Sequence, residues 1–338
     1  MAPEKKIVEN IANWITLFDD GSVDRTWTGP PEAIPNLTPV PPHQHFVDGV
    51  AAIDVVADDG AAALKLRIYL PETAERDGSA EKLPVLLHFH GGGFCISQTD
   101  WRMYYSMYTA VARATGAVVV SPYLRRAPEH RLPAPCDDGF AALKWLRSVA
   151  AGERRQPWLD RHADFNRVFL IGDSSGACVV HQVAARAASE NLAPLRLAGA
   201  IPIHPGFVRE RRSKSETEMP ASPMLSVEMI DKMLALALPE GATKDHPITC
   251  PMGEAAPAVE ELNLPPYLCC VGEMDLMRET QLEFYEAMKR GKKEVELLMS
   301  SGVGHCFYLN KTAVESRPEM AEEYRKLIQG IALFVKNH

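Results

Sequence analysis

The sequence predicts an α/β fold in which helices flank a central, mostly parallel sheet. Short runs rich in β-branched and apolar residues begin at about residue 50, and helical stretches alternate with them from residue 103. Such alternation requires right-handed crossovers between parallel strands. The chain has 338 residues, 46% of them hydrophobic, so it can bury a large core as one domain that carries an insertion.

The chain up to residue 45 is expected to form an N-terminal arm. Ile7, Ile11 and Trp14 have helical spacing, which predicts an amphipathic helix within the first twenty residues. Many prolines between residues 28 and 45 forbid regular ladders and indicate an extended strap.

The core is expected to comprise residues 46–204 and 256–338. Its strand-like runs are 52–57, 64–70, 84–89, 117–121, 167–171, 197–203, 267–271 and 295–299. Its helical runs are 103–115, 137–151, 174–189 and 278–290, with a terminal helix that ends near Val335. The first runs are expected to form an antiparallel edge of the sheet.

The alternation lapses between about residues 205 and 265, where a charged stretch, a Met-rich helix candidate at 226–238 and a Gly/Pro-rich segment follow one another. Residues 205–255 are therefore predicted to be an inserted cap segment. Thioether side chains adapt to irregular apolar ligands, but plain packing is their commoner use. The methionines of this region are Met219, Met224, Met229, Met233 and Met252.

Composition excludes several classes of function. A net charge of −8 and a pI near 5.8 argue against nucleic-acid binding, which needs clustered cations. Seven cysteines, without a C-x-x-C pair, favour a reducing compartment, and we expect the cytoplasm. The N-terminus is too polar for a signal-peptide core, and no run is long enough to span a bilayer.

The strongest motif is G-x-S-x-G, which lies between a predicted strand and a predicted helix. Gly172 and Gly176 flank Ser174, and small residues at these two positions let neighbouring backbone approach a sharp turn that exposes the serine hydroxyl. The helix that follows directs free N–H groups, including that of Ser175, towards the site. We predict that Ser174 is a nucleophile.

A second motif, His90 followed by Gly91, Gly92 and Gly93, comes directly after the strand at 84–89. The three glycines let backbone N–H groups turn towards an oxyanion, and we predict an oxyanion hole formed by them and by Ser175. An ordinary Gly-rich turn and a phosphate cradle are the alternatives, but no G-K-[ST] follows. His88 and His90 lack a carboxylate partner, so neither a metal nor a cofactor is expected.

A base and an acid are expected after later strands. Asp275 follows the strand at 267–271, with Glu273 as the rival acid, and His305 ends the loop after the strand at 295–299. His305 would take the proton of the attacking serine, and Asp275 would hold the imidazole. We expect a structural role for Asp173. Packing or turn positions are expected for His130, His181, His204 and His246.

With these motifs the chain resembles the plant carboxylesterases of the hormone-sensitive-lipase group of α/β-hydrolases. The likeness includes His90-Gly91-Gly92-Gly93, Gly172-Asp173-Ser174-Ser175-Gly176 and the segment A-P-E-H-R-L-P-A at 127–134. Two departures are Ser175, where alanine is common, and Arg126, where an apolar residue is usual. The resemblance implies an α/β-hydrolase fold with a lid formed by the arm and the insertion.

The resemblance also implies a serine esterase that acts on small or aromatic carboxylic esters, as a monomer or homodimer whose partner is a small-molecule ester or specialised metabolite. Two alternatives are related proteins of the same group. Some relatives use a similar site for elimination or cyclisation in plant specialised metabolism. Gibberellin receptors resemble these esterases but lack the catalytic histidine, so His305 favours an enzyme.

Overall fold

A large mixed sheet organises the chain. The computed structural model describes residues 5–57, 63–75, 81–220 and 225–338. Within them nine strands form one sheet, β4 to β12, and a separate three-stranded sheet consists of β1, β2 and β3. The strands are β1 (Ile7–Ile11), β2 (Ile15–Phe18), β3 (Val23–Asp24), β4 (His43–Val47), β5 (Val50–Ala57), β6 (Leu64–Pro71), β7 (Leu83–Phe89), β8 (Val118–Pro122), β9 (Ala163–Asp173), β10 (Leu197–Ile203), β11 (Tyr267–Gly272) and β12 (Val295–Ser300).

The strand order in the large sheet is β12-β11-β10-β9-β7-β8-β6-β5-β4. The pairs from β12 to β8 are parallel. The pairs from β8 to β4 are antiparallel. The predicted mostly parallel sheet with an antiparallel edge is therefore confirmed.

Helices cover both faces of this sheet. The helices of the described residues are α1 (Ile34–Leu37), α2 (Arg102–Thr115), α3 (Ala134–Ala150), α4 (Pro157–His162), α5 (Ser175–Ala187), α6 (Lys214–Glu218), α7 (Val227–Ala237), α8 (Arg278–Arg290), α9 (Lys311–Ser316) and α10 (Pro318–Asn337). One apolar core contains residues of α3, α5 and α8, and a second contains residues of α2 and α10. Among the described residues, no helix is long and apolar enough to cross a membrane.

The predicted N-terminal helix is wrong, because the arm begins with the hairpin of β1 and β2. Ala12 and Asn13 both have positive φ, 49° and 66°, and Trp14 N–H donates to Ile11 O at 2.9 Å. This is the geometry of a type I′ turn, whose twist matches a two-stranded hairpin. The hairpin still buries Ile11 and Trp14, so the same residues serve a different element.

The extended strap is wrong in part. Pro31–Ala33 form a 3₁₀ turn that leads into α1, and a proline occupies the first turn of each. Proline is tolerated there because the first N–H groups of a helix have no intrahelical partner. The strap then ends in β4, which pairs with β5 at the edge of the large sheet.

The segment predicted to be an insertion lies between β10 and β11. It carries α6 and α7, and Ser226, as predicted, starts the Met-rich helix, where its hydroxyl caps the N–H of Met229. Met229 and Met233 are buried on one side of α7. Met224 lies outside the described residues.

Candidate active site

The carboxyl ends of β7, β9, β10 and β11 meet at one edge of the sheet. The parallel register places Phe89 beside Gly172 and Ile203 beside Asp173. The loops that follow these strands share one rim with the loop after β12, which pairs in parallel with β11, and the predicted nucleophile, acid and base lie on these loops.

Ser174 occupies the sharp turn between β9 and α5, with φ 54° and ψ −122°. Such a conformation is strained for a residue with a side chain. A Cβ at Gly172 would lie 2.7 Å from Gly176 O, and one at Gly176 would lie 2.1 Å from Phe89 O. Only glycine fits at these two positions, because backbone atoms cannot move aside as a flexible side chain can.

Three side chains form a continuous hydrogen-bonded line. His305 Nε2 lies 2.9 Å from Ser174 Oγ, and His305 Nδ1 lies 2.7 Å from Asp275 Oδ2. The serine hydroxyl can donate to the neutral imidazole, whose Nδ1–H donates to the carboxylate. The structure thus brings together residues 174, 275 and 305, which the sequence placed on three separate loops.

Burial and charge set the ionisation of this pair. Asp275 has no exposed surface. Burial alone would raise its pKa, but the charge and N–H of His305 outweigh burial and hold that pKa below 3.8. Burial would likewise lower the pKa of His305, yet the carboxylate of Asp275 raises it well above 6.5. The ionised Asp275 therefore stabilises the imidazolium form of His305 whenever the ring takes up a proton.

Glu273, the rival acid, is bound elsewhere. Its Oε2 accepts the N–H of Gly302 at 2.7 Å, so it shapes the loop that carries His305 and makes no hydrogen bond to the imidazole. Asp173, for which the sequence suggests a structural role, is buried and accepts a hydrogen bond from Tyr104 Oη at 3.3 Å. Burial raises the pKa of Asp173 to about 6.

The glycine loop lies beside the nucleophile, but its three N–H groups are not equivalent. Within the described chain, the N–H groups of Gly92, Gly93 and Ser175 donate to no protein acceptor. Gly91 N–H donates to Tyr104 Oη at 3.1 Å. The expectation that Gly91 donates to an oxyanion is therefore wrong, because its N–H already donates to the hydroxyl of Tyr104. Gly91 is needed for close approach, since a Cβ there would lie 2.5 Å from Asp173 Oδ2.

Two further contacts fix the loop. His90 Nδ1–H donates to Gly91 O at 2.9 Å, and burial lowers the pKa of His90 to about 4, so the ring is neutral. Phe94 N–H donates to Ser175 Oγ at 3.1 Å. The hydroxyl of Ser175, where alanine is common among the similar esterases, thus ties the glycine loop to the elbow.

For His204 the sequence predicts a packing or turn position, and this prediction missed that the ring supports the loop of His305. The signal that could have identified this role is its position directly after β10. His204 is fully buried. His204 Nδ1 accepts the N–H of Cys306 at 2.9 Å and lies 3.7 Å from Asp275 Oδ2. Burial lowers the pKa of His204 to about 4, so the ring is neutral and supports the loop of His305. His181 lies away from the rim, as predicted, with Nδ1 3.2 Å from Tyr267 Oη.

One group of side chains has the composition of a metal site. Potential ligand atoms of His204, His305 and Cys306 lie within 4.8 Å of one another in the described part of the chain. However, His204 Nδ1 already accepts a backbone N–H, and both nitrogens of His305 are hydrogen-bonded to Asp275 and Ser174. The hydrogen bonds account for this grouping without a metal.

Comparisons with known proteins agree with this architecture. A family model described as the α/β hydrolase fold matches residues 86–309. Probable carboxylesterase 13 of Arabidopsis thaliana is 34% identical, over 97% of this chain and 99% of its own. Tuliposide A-converting enzyme b2 of Tulipa gesneriana is 30% identical, over 97% of this chain and 82% of its own.

Solved structures show the same fold. An ester hydrolase from the metagenome of Lake Arreo has a TM-score of 0.71 at 22% identity and covers 91% of this chain and 88% of its own. A hyperthermophilic esterase of the archaeon Pyrobaculum calidifontis has a TM-score of 0.68 at 23% identity and covers 85% and 83%. The chain therefore belongs to the α/β-hydrolase fold family, where its relatives include plant carboxylesterases.

Proposed function

We propose that the protein is a serine carboxylesterase that hydrolyses small or aromatic carboxylic esters through Ser174, His305 and Asp275. The observation that carries the proposal is the unbroken line of hydrogen bonds from Asp275 Oδ2 through the imidazole to Ser174 Oγ. Relatives named as carboxylesterases support it.

In the first half-reaction, Ser174 Oγ attacks the acyl carbon while His305 Nε2 takes the hydroxyl proton. The tetrahedral oxyanion is bound by the N–H groups of Gly92, Gly93 and Ser175 at the start of α5, where the helix dipole is also favourable. The imidazolium then protonates the leaving alcohol, and an acyl-enzyme on Ser174 remains.

In the second half-reaction, His305 takes a proton from water, which attacks the acyl-enzyme. The carboxylic acid leaves when the imidazolium returns the proton to Ser174 Oγ. Asp275 keeps the proton of the neutral ring on Nδ1 and stabilises the cation in both halves, and does not itself take up the proton.

We further propose that the arm and residues 205–255 together form a cap over this site. Support comes from Met233 of α7, because a Cβ at Gly93 would lie 2.5 Å from its sulfur. Lys232 of α7 is paired with Glu9 of β1 at 2.7 Å. Arg25 of the arm donates to Cys95 O at 2.6 Å, next to the glycine loop.

The direct test is turnover of p-nitrophenyl acetate by the wild-type chain, Ser174→Ala and the control Ser148→Ala. Ser148 donates to Trp145 O on α3, away from the rim, so its variant should keep full activity. The proposal predicts turnover that Ser174→Ala abolishes. Turnover retained by Ser174→Ala would refute it.

A second use of the same site is favoured by the relatives that are named converting enzymes rather than esterases. A lyase or cyclase would hydrolyse simple esters weakly and would transform a metabolite without uptake of water. Reaction in H₂¹⁸O separates the two functions, because only hydrolysis places ¹⁸O in the acid product.

A further inference from the structure

Gln281, in the first turns of α8, is buried beside the triad, with 1% of its surface exposed. Its Nε2 donates to Asp275 Oδ2 at 2.9 Å and to Pro205 O at 3.1 Å. An ionised carboxylate and a carbonyl can only accept hydrogen bonds, so the amide must present its NH₂ group to both. The orientation of this side chain is therefore determined by its partners.

The carboxylate of Asp275 is held on both oxygens. Oδ1 accepts the N–H of Met277 at 2.9 Å. Oδ2, the oxygen that takes the imidazole Nδ1–H, is shared with Gln281. Gln281 is thus the second side-chain donor to the atom on which the orientation of His305 depends.

The other partner of Gln281 leads to the nucleophile. Pro205 precedes Gly206, whose N–H donates to Ser174 O at 2.9 Å. A Cβ at Gly206 would lie 3.0 Å from Ser174 C, so this segment packs directly on the elbow. The amide of Gln281 therefore connects Asp275 to the backbone at Pro205 and Gly206. This backbone contacts Ser174, and the segment proposed as a cap begins there.

We propose that Gln281 is a positioning residue of the triad: it aligns Asp275 Oδ2 with His305 and limits the basicity of the imidazole. The inference rests on the proposed esterase function. A donor on Oδ2 withdraws negative charge from that oxygen. Loss of the donor leaves more negative charge on Oδ2 to stabilise the imidazolium, and it also frees the carboxylate to rotate. Removal of the amide should raise the pKa of His305 and lower kcat.

The other titratable groups that act on His305 are Asp173 at the end of β9, His204 after β10 and Cys306 in its own loop. None of them donates to or accepts from Gln281 in the described chain. A change in the pH profile after substitution of Gln281 is therefore assigned to Asp275.

The test compares Gln281→Met with Thr280→Val. Methionine keeps the length of the side chain and removes the donor. Thr280 is the matched control, because its hydroxyl holds the same segment through Phe207 O at 2.6 Å and makes no hydrogen bond to Asp275. The measurements are kcat, KM and the acid limb of kcat/KM with p-nitrophenyl acetate, and the urea midpoint of unfolding.

Gln281→Met should lower kcat on the order of tenfold, leave KM within about twofold and move the acid limb up by about half a pH unit. Thr280→Val should lower the urea midpoint while kcat and the acid limb stay unchanged. An unchanged kcat and acid limb in Gln281→Met, or equal shifts in both variants, would overturn the inference.

Gln281→Glu keeps the shape of the side chain and covers the case in which the methionine variant fails to fold. It places an acceptor against Asp275, so at pH 8 it should lose at least as much kcat as Gln281→Met, and full activity would again overturn the inference. Failure of the esterase proposal has a different signature, because the wild-type chain would then turn over no ester at all.

Discussion

Tyr104 provides a sharp test of how the glycine loop is held. Its hydroxyl accepts Gly91 N–H at 3.1 Å and donates to Asp173 Oδ2 at 3.3 Å, and the side chain is 1% exposed. Tyr104→Phe leaves both groups buried without this partner. An orphaned buried polar group costs about 1–3 kcal/mol, so the pair should cost about 2–6 kcal/mol of unfolding free energy.

The same substitution should slow the reaction, because Gly91 leads into the proposed oxyanion donors. Loss of a donor itself costs about 10²–10³ in kcat, and a loosened loop should cost less, on the order of tenfold or about 1.4 kcal/mol. The assays are urea unfolding and kcat with p-nitrophenyl acetate.

Tyr267→Phe is the matched control. Tyr267 is also buried, bonds to His181 and starts β11 about 16 Å along the strand from the rim. Its variant should lose about 1–2 kcal/mol of stability and keep its kcat. If Tyr104→Phe also kept full kcat, and lost no more stability than Tyr267→Phe, the role assigned to Tyr104 would be wrong.

Three further predictions concern the triad and the elbow. The pKa of His305 is raised above 6.5, and catalysis needs the neutral ring. The value of kcat/KM should therefore fall as the pH falls through a midpoint above 6.5, and a pH profile with a lower midpoint would contradict this. Asp275→Asn should lower kcat roughly 10⁴-fold while Glu273→Gln keeps most activity, and steady-state kinetics that reversed this order would identify Glu273 as the acid. Gly176→Ala should prevent folding, because its Cβ would lie 2.1 Å from a backbone oxygen. The Cβ of Gly116→Ala would meet nothing within 4 Å, so this variant should lose only about 1 kcal/mol of unfolding free energy for its positive φ. Circular dichroism and urea unfolding can check both expectations.

The core could be predicted from the sequence because its periodicities are strong. Strand β10 and helix α8 begin and end at the predicted residues, and each has a run of apolar residues at the spacing of its own element. The arm could not be predicted in the same way. Ile7, Ile11 and Trp14 fit helical spacing, but a two-residue turn with positive φ decides the local structure.

The candidate site was predictable where a residue lies in the loop that follows a strand. Ser174, Asp275 and His305 come from loops at the carboxyl ends of β9, β11 and β12, which parallel topology brings to one rim. Tyr104 and Gln281 could not be found in this way, because they reach the rim from helices and no local pattern marks a helical residue that contacts a loop.

The assignment of Gly91 failed for a related reason. Three adjacent glycines offer three N–H groups, and the sequence does not show which of them a tertiary contact occupies. In the structure Gly91 N–H donates to Tyr104, which leaves the N–H groups of Gly92 and Gly93 without a protein acceptor among the described residues.

The most direct test of the role of Ser174 and His305 is to label the wild-type chain and His305→Ala with a fluorophosphonate. Peptide mass spectrometry then gives the rate and the position of labelling in each protein. Catalysis by Ser174 with His305 as its base predicts one adduct, on Ser174, that forms at least about 10²-fold more slowly when the imidazole is removed. An adduct on another residue, or an equal labelling rate without the imidazole, would contradict it.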